Sequence, residues 1–319
     1  MKKILITGAS GFIGSFLVKK ALEKNWEVWA GIRSSSSLKY LQNARISFID
    51  LNYHNKEKLR QQIKYHVTQF GKWDYIIHNA GLTKCLHSRD FDTVNTLYTK
   101  HFIEVIQEVD AVPDKFIFMS SLSAYPYPES IYGKSKRKAE QFLESQTGFP
   151  YIILRPTGVY GPRDTDYLIL LKSLKKGLEV TAGFAAQKLT FIYVRDLVKA
   201  VFLALESPVK EKAYFVTDGK VYSDTAYTQI MKAVLGKKHV LKLRIPLWIV
   251  KIASVFAEIF AKITGKASTL NRDKYKIIKQ RDWTCDTLPI EQELGFHADF
   301  DLDLGIRECV KWYTTHGWL

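Results

Sequence analysis

A glycine-rich loop near the N-terminus constrains the fold of this chain more than any other feature. The loop spans residues 7–14 and directly follows an apolar, strand-like segment at 3–6. Gly8, Gly11 and Gly14 permit a tight turn, close approach of an anion to the backbone, and close packing of the next helix on the strand. A strand, such a loop and a helix in this order predict a nucleotide-binding βαβ unit, with a pyrophosphate at the helix N-terminus.

Strand-like and helix-like segments alternate through the first two-thirds of the chain. The predicted strands are 3–7, 27–32, 46–50, 74–78, 116–120 and 151–154, and the predicted helices are 12–24, 55–69, 91–109 and 130–146. This alternation is typical of an α/β fold with a doubly wound parallel sheet. After residue 160 the pattern loosens, returns to a strand and helix at 190–206 and a strand at 213–217, and then becomes mostly helical.

The change in pattern predicts two domains. We expect a Rossmann domain built from 1–159 plus 189–219, and a smaller, mostly helical substrate domain built from 160–188 plus 220–319. The substrate cleft is expected between them, because ligands of such sheets bind where the parallel strands end.

Composition and charge narrow the functional classes. The three cysteines, Cys85, Cys285 and Cys309, are widely spaced and form no ligand pattern, so we expect neither disulfides nor a bound metal. The formal net charge is +15, but no nucleic-acid-binding motif accompanies the scattered lysines. We therefore expect no nucleic-acid partner and a solvated basic surface that favours anionic cofactors, with attraction to acidic lipids as the alternative. The N-terminal apolar run is too short for a signal peptide, which predicts a cytoplasmic protein.

A second motif follows the glycine loop by about 120 residues. Tyr132 and Lys136 lie four residues apart, hence on one face of a predicted helix, where the ammonium can favour ionisation of the phenol. Ser120 and Ser121 stand at the end of the preceding predicted strand. The combination predicts a site for proton transfer beside a bound dinucleotide.

The two motifs together resemble those of the extended short-chain dehydrogenase/reductase family, the NAD-dependent epimerases and dehydratases. Further matching segments occur in the same order at 78–81, 154–162 and 193–197. The resemblance implies that Tyr132 exchanges a proton with the substrate, that Lys136 assists it and binds the nicotinamide ribose, and that Ser121 holds the reacting oxygen. We select Ser121 over its neighbours because it lies four residues before an aromatic residue, as in the family. The family often forms homodimers through two helices, which here would be 91–109 and 130–146.

The end of the second predicted strand distinguishes NAD from NADP. An acidic residue there would bind the ribose hydroxyls of NAD, whereas an arginine accommodates the 2′-phosphate of NADP. This chain has no acid there and has Arg33 instead, which predicts NADP as cofactor, with NAD possible. The full set of expected cofactor contacts is Gly8, Ser10, Gly11, Phe12, Ile13, Gly14, Arg33, Asp50, Leu51, Asn79, Ala80, Gly81, Tyr132, Lys136, Pro156, Thr157 and Gly158.

Three departures from the family narrow the small-molecule substrate. Leu122 and Ser123 stand where dehydratases carry an Asp-Glu pair. Gly158 and Leu189 replace the Asn and Arg that contact the phosphates in many nucleotide-sugar epimerases. The chain is instead similar to the 3β-hydroxysteroid and sterol-4-carboxylate dehydrogenases and dihydroflavonol reductases, which implies a secondary alcohol or ketone on a bulky apolar molecule. A nucleotide-sugar 4-epimerase or reductase is the first alternative, and a non-catalytic dinucleotide-dependent regulator is the second.

A long apolar stretch at 247–263 predicts a helix in the C-terminal part. Its three charged residues, Lys251, Glu258 and Lys262, share one narrow stripe and argue against a membrane-spanning helix. The stretch predicts a helix buried against the core of the small domain. A helix that lines the cleft or lies at a membrane interface is the alternative.

Overall fold

The computed structural model describes residues 1–126, 128–265 and 268–319. Its strands are β1 (Lys3–Thr7), β2 (Glu27–Ile32), β3 (Ile46–Asp50), β4 (Tyr75–His78), β5 (Lys115–Met119), β6 (Tyr151–Pro156), β7 (Gly158–Tyr160), β8 (Leu178–Ala182), β9 (Lys188–Leu189), β10 (Phe191–Tyr193), β11 (Lys212–Val216), β12 (Tyr222–Ser223) and β13 (Leu241–Ile245). Its helices are α1 (Phe12–Glu23), α2 (Lys56–Phe70), α3 (Arg89–Phe91), α4 (Tyr98–Glu108), α5 (Ile131–Glu144), α6 (Asp166–Lys175), α7 (Val194–Glu206), α8 (Asp224–Val234), α9 (Leu247–Thr264), α10 (Arg272–Lys279), α11 (Leu288–Leu294) and α12 (Leu302–Thr315).

A seven-stranded sheet in the order β11-β6-β5-β4-β1-β2-β3 forms the centre of the fold. All neighbouring strands in it are parallel. The order runs outward from β1 in one direction and from β4 in the other, which is the doubly wound Rossmann arrangement. The predicted fold class is confirmed, and the helices concentrated after β11 confirm a mostly helical C-terminal part.

Alternating side chains of the strands pack against helices on both faces of the sheet. In β1, Ile4 and Ile6 belong to a cluster that includes residues of α1 and α7, whereas Leu5 belongs to one that includes residues of α2, α4 and α5. All three side chains are fully buried. Because successive strand residues point to opposite faces, a continuous apolar run is what a sheet covered on both sides requires.

A third apolar cluster lies in the C-terminal part of the chain. It joins side chains of β7, α6, β10, α8 and α12, among them Tyr160, Leu171, Tyr227 and Ile306. This separate core supports the division into 1–159 plus 189–219 and 160–188 plus 220–319, which stays a proposal.

The predicted helix 91–109 is interrupted in the structure. A π-helical segment, Asp92–Leu97, joins α3 to α4. Within it, Asn95 Nδ2 donates to Ser135 Oγ of α5 at 3.0 Å, and the Thr96 hydroxyl donates to the Ser135 carbonyl oxygen at 2.9 Å. Single π-helical turns often occur at functional sites, and here the turn aims two polar side chains at the helix that carries Tyr132.

The expectation that 247–263 packs in a core was wrong. In α9, the buried residues are Val250, Ser254 and Ala261, and only the first of these is a large apolar residue. Most of the large apolar side chains of α9 face solvent instead. The helical period specified an apolar stripe correctly, but it carries no information on which side of the helix meets the protein.

Because His78 is buried, we expect the folded protein to lose stability in mild acid. Its ring lies between the hydroxyls of Thr7 and Thr99, at 3.1 and 3.0 Å, and burial lowers its pKa to about 3. The folded-state pKa is below the unfolded value, so the unfolded chain binds more protons as the pH falls below about 6.5. His78 should therefore contribute a loss of up to roughly 4 kcal/mol in the free energy of unfolding between neutral pH and pH ~3.

Urea unfolding of wild type, His78→Gln and His239→Gln at several pH values checks this expectation. His78→Gln should have a weaker pH dependence than wild type. His239 is exposed, so its variant should keep the wild-type dependence. Equal pH dependence in all three proteins would contradict the assignment.

Candidate active site

The glycine loop after β1 forms an anion-binding helix N-terminus. Gly8 has a φ of 64°, and a Cβ at Gly14 would lie 2.1 Å from the Gly8 carbonyl oxygen. Gly11 is the N-cap of α1 and has no side chain with which to cap it. The first amides of a helix have no intrahelical acceptor, so those of Phe12, Ile13 and Gly14 are available to an anion, at the positive end of the helix dipole.

A second loop, which follows β4, packs against the glycine loop. The Asn79 side-chain amide donates to the Gly8 carbonyl oxygen at 3.4 Å, and the Ala80 amide donates to Thr7 Oγ1 at 3.0 Å. A Cβ at Gly81 would lie 3.0 Å from Lys136 Nζ. The structure therefore brings the predicted middle of the cofactor site against both the glycine loop and the catalytic helix.

The residues at the ends of β2 and β3 lie on the far side of the glycine loop. Arg33 directly follows β2 and is exposed, and its backbone amide donates to Ser36 Oγ at 3.0 Å. Asp50, at the end of β3, pairs in register with Ile32, while Leu51 is buried. Because β1, β2 and β3 are parallel, their carboxyl ends meet at one edge of the sheet, which is where dinucleotides bind in this type of fold.

The predicted catalytic residues come together at the same edge of the sheet. Ser121 follows β5 by two residues, and its side chain lies near enough to Tyr132 on α5 to lower the pKa of the phenol. A Cβ at Gly133 would lie 2.1 Å from the Ser123 carbonyl oxygen, so only glycine there allows this approach of helix and loop. Ser121 Oγ also accepts from the Ser123 amide at 3.1 Å, which makes it a turn former as well.

Lys136 is buried beneath this site. It is 5% exposed, and its Nζ donates to the Met119 carbonyl oxygen at 2.8 Å and lies 5.0 Å from the centre of the Phe118 ring. Burial lowers the pKa of Lys136 to about 8, and the nearby carboxylate of Glu140 opposes that shift. The lysine therefore loses its proton far more readily than a lysine in water.

The pKa of Tyr132 differs from our expectation. Burial raises it above the usual tyrosine value, and the nearby Ser121 side chain lowers it by less. Lys136 does not lower it, and its ammonium bonds to the Met119 carbonyl oxygen instead. The loss of solvation on burial therefore has a larger effect on the pKa of Tyr132 than the position of Lys136 one helical turn away.

Two acidic residues that the sequence analysis missed support the site. Glu140, which is fully buried, binds Arg155 through two hydrogen bonds of 2.9 and 2.8 Å and accepts a third from Ser120. Asp273, on α10, accepts hydrogen bonds from the amides of Ile131 and Tyr132 at the N-terminus of α5. Glu140 lies four residues after Lys136, so its place on the same face of the helix could have been predicted from the sequence. Nothing in the sequence connects Asp273 with residues about 140 positions earlier.

The last predicted cofactor segment, Pro156, Thr157 and Gly158, joins the carboxyl end of β6 to the start of β7. The Thr157 amide donates to the Val216 carbonyl oxygen at 3.2 Å. A Cβ at Gly158 would lie 2.3 Å from the hydroxyl of Tyr167, which fills the space of any side chain there. Because β6 is parallel to β5, the segment lies at the same edge of the sheet as the other predicted cofactor residues, and its glycine is backed by an aromatic side chain.

Comparison with known proteins identifies relatives over the whole chain. The model of the NAD dependent epimerase/dehydratase family matches residues 4–217. A ceramide reductase from Caulobacter vibrioides is 25% identical over 322 residues, which cover 99% of this chain and 96% of the relative. A putative UDP-glucose 4-epimerase from Methanocaldococcus jannaschii is 28% identical, over 73% of this chain and 82% of the relative. The crystal structure of a UDP-glucose 4-epimerase from Thermotoga maritima with UDP-glucose superposes with a TM-score of 0.78 at 20% identity, covering 98% and 99% of the two chains.

Proposed function

Because the chain belongs to the NAD dependent epimerase/dehydratase family, we propose that it is an NADP-preferring oxidoreductase that interconverts a secondary alcohol and a ketone on a bulky apolar molecule. The family match confirms the resemblance to extended short-chain dehydrogenases/reductases. The observation that carries the proposal is that Ser121 lies near enough to Tyr132 to affect its pKa, beside buried Lys136.

The side chains of the site suit proton exchange with an alcohol or a ketone. The bound dinucleotide would supply or accept the hydride. Since burial raises its pKa, Tyr132 holds its proton at neutral pH and can donate it to a carbonyl oxygen during reduction. The Ser121 hydroxyl can hold the same oxygen. Lys136, whose pKa is about 8, keeps most of its charge at neutral pH and is expected to bind the nicotinamide ribose.

The preference for NADP rests on Arg33 at the end of β2. An exposed guanidinium there can pair bidentately with a 2′-phosphate, and β2 ends without a carboxylate that would repel it. Arg33→Ala should remove most of the preference for NADPH over NADH, at a cost of about 1.5–3 kcal/mol, or roughly 10- to 150-fold in affinity.

Fluorescence titration of both dinucleotides at fixed salt measures this preference. Arg307→Ala, which changes an exposed arginine on α12, is the matched control and should keep it. If the unmutated protein binds NADPH and NADH equally well, the assignment of NADP is wrong.

The residues that stand in place of the expected phosphate contacts support an apolar substrate. Tyr167 fills the space beside Gly158, and half-buried Leu189 packs against the C-terminal aromatic cluster. In that cluster Phe191 stacks on Tyr227 with ring centres 4.8 Å apart. A substrate bound beside these residues would gain affinity mainly from buried hydrocarbon, at ~25 cal/mol per Å². One of the similar proteins is a ceramide reductase, whose name refers to an apolar lipid substrate.

A parallel substrate screen tests the proposal. Sterol-like, flavonoid-like and long-chain ketones should oxidise NADPH and raise the thermal stability of the protein, whereas UDP- and dTDP-sugars should do neither. The nucleotide-sugar 4-epimerase is the second candidate, because two of the similar proteins are UDP-glucose 4-epimerases. Stabilisation by a micromolar nucleotide sugar, with no response to the apolar compounds, would favour that candidate.

A further inference from the structure

The helix α9 turns its apolar face away from the protein. Its exposed large apolar side chains fall within an arc of about 120° on the helix, and we call them the α9 stripe. They are Trp248, Ile249, Ile252, Phe256, Ile259, Phe260 and Ile263, which are 64%, 38%, 47%, 67%, 50%, 67% and 77% exposed. The opposite face meets the protein through Val250, Ser254 and Ala261. A continuous exposed apolar surface of this kind marks an interaction site.

The two-stranded ribbon formed by β8 and β13 also exposes apolar side chains to solvent and buries a charged one. Leu241 and Leu243 of β13 are exposed, and Leu243 pairs in register with exposed Val180 of β8. On the other face, buried Glu179 binds Lys232 and Thr228 of α8 at 3.0 Å each. Since β13 leads directly into α9, two consecutive elements present apolar side chains to solvent.

The region around the α9 stripe carries most of the net positive charge of the chain. Residues 237–281 hold twelve lysines and arginines and two acidic residues, a net charge of +10 out of +15 for the whole chain. Both acidic side chains form hydrogen bonds. Glu258 binds Arg272 at 2.8 and 2.9 Å, and Asp273 accepts hydrogen bonds from backbone amides of α5. Lys242, Arg244 and Lys251 are exposed and form no ion pair among the described residues, although Arg244 donates to the Phe184 carbonyl oxygen at 3.1 Å.

We propose that α9 and the β8–β13 ribbon bind the surface of an anionic lipid bilayer. Apolar side chains flanked by cations match the combination of acyl chains and acidic headgroups, whereas a second copy of this chain would bring like charges together. None of the helices within the described ranges is long and apolar enough to cross a membrane. The homodimer expected through α4 and α5 would use a different surface.

The proposed surface is connected to the candidate active site through α10. Arg272, the first residue of α10, binds Glu258 of α9, and the next residue, Asp273, binds the amides of Ile131 and Tyr132. Membrane binding would therefore bring the site close to lipid-dissolved molecules. This consequence for substrate delivery, unlike the binding itself, rests on the proposed oxidoreductase function.

Flotation with vesicles tests the proposal on the full-length protein. The protein should float with vesicles of equal parts phosphatidylglycerol and phosphatidylcholine, but much less with phosphatidylcholine alone or in roughly 1 M salt. The triple variant Phe256→Gln, Phe260→Gln, Ile263→Gln should bind at least about tenfold more weakly. The matched control replaces three exposed apolar residues elsewhere, Tyr65→Gln, Leu288→Gln and Leu304→Gln, and should bind like wild type.

Two further measurements keep the test decisive. Tryptophan emission should shift to the blue on vesicle binding, and Trp248→Phe should remove most of the shift. Lys251→Glu should weaken binding to anionic vesicles about fivefold or more. Absence of flotation, or equal flotation of wild type and the triple variant, would overturn the proposal. So would a dimer that the triple variant dissociates, without vesicle binding. None of these measurements requires turnover, so their failure is distinguishable from failure of the proposed activity.

Discussion

Tyr132→Phe is expected to reduce kcat by roughly 10²–10⁴-fold on any substrate of the protein, while dinucleotide affinity stays nearly unchanged. The substitution removes only the phenolic oxygen, which is the atom that we propose exchanges the proton and which interacts with Ser121. The ring, which packs 5.8 Å from that of Phe91, remains. Steady-state kinetics and dinucleotide titration of the same preparation measure both quantities.

Two companion variants separate chemistry from folding. Tyr65→Phe changes an exposed tyrosine on α2 and should leave kcat and dinucleotide affinity at their wild-type values. Lys136→Ala should lower both kcat and dinucleotide affinity, since the lysine is expected to contact the nicotinamide ribose. Full activity of Tyr132→Phe would show that the proposed catalytic residues are wrong.

Glu140→Gln is expected to destabilise the protein by about 3–5 kcal/mol. The carboxylate is fully buried, and it accepts two hydrogen bonds from Arg155, one from Ser120 and one from Arg137. An amide cannot balance the buried guanidinium of Arg155, whose nearest remaining counter-charge would be Glu144 at 3.6 Å. Chemical denaturation of wild type and variant gives the difference in the free energy of unfolding.

An exposed ion pair provides the control for Glu140. Asp110 binds Lys72 at 2.8 Å, but its side chain is 92% exposed. Asp110→Asn should therefore change the free energy of unfolding by no more than about 1 kcal/mol. A similar small effect for Glu140→Gln would show that the buried network contributes little to stability.

The sequence determined the central sheet and predicted the position of the dinucleotide site. The predicted strands 3–7, 27–32 and 46–50 have the same bounds in the structure. This agreement has a local cause, because strand period, glycine conformation and helix starts depend on residues within one or two turns. The four-residue spacing of Tyr132 and Lys136 likewise fixed their common helix face.

The tertiary structure decided which polar groups meet and which apolar faces are covered. Asp273 reaches the amide of Tyr132 from 141 residues away, and burial rather than Lys136 sets the direction of the pKa shift of Tyr132. The period of α9 specified an apolar stripe, but only packing showed that Phe256 and Phe260 face solvent. A sequence pattern specifies the relative positions of side chains on one element, whereas burial, solvation and long-range contacts depend on the elements packed around it.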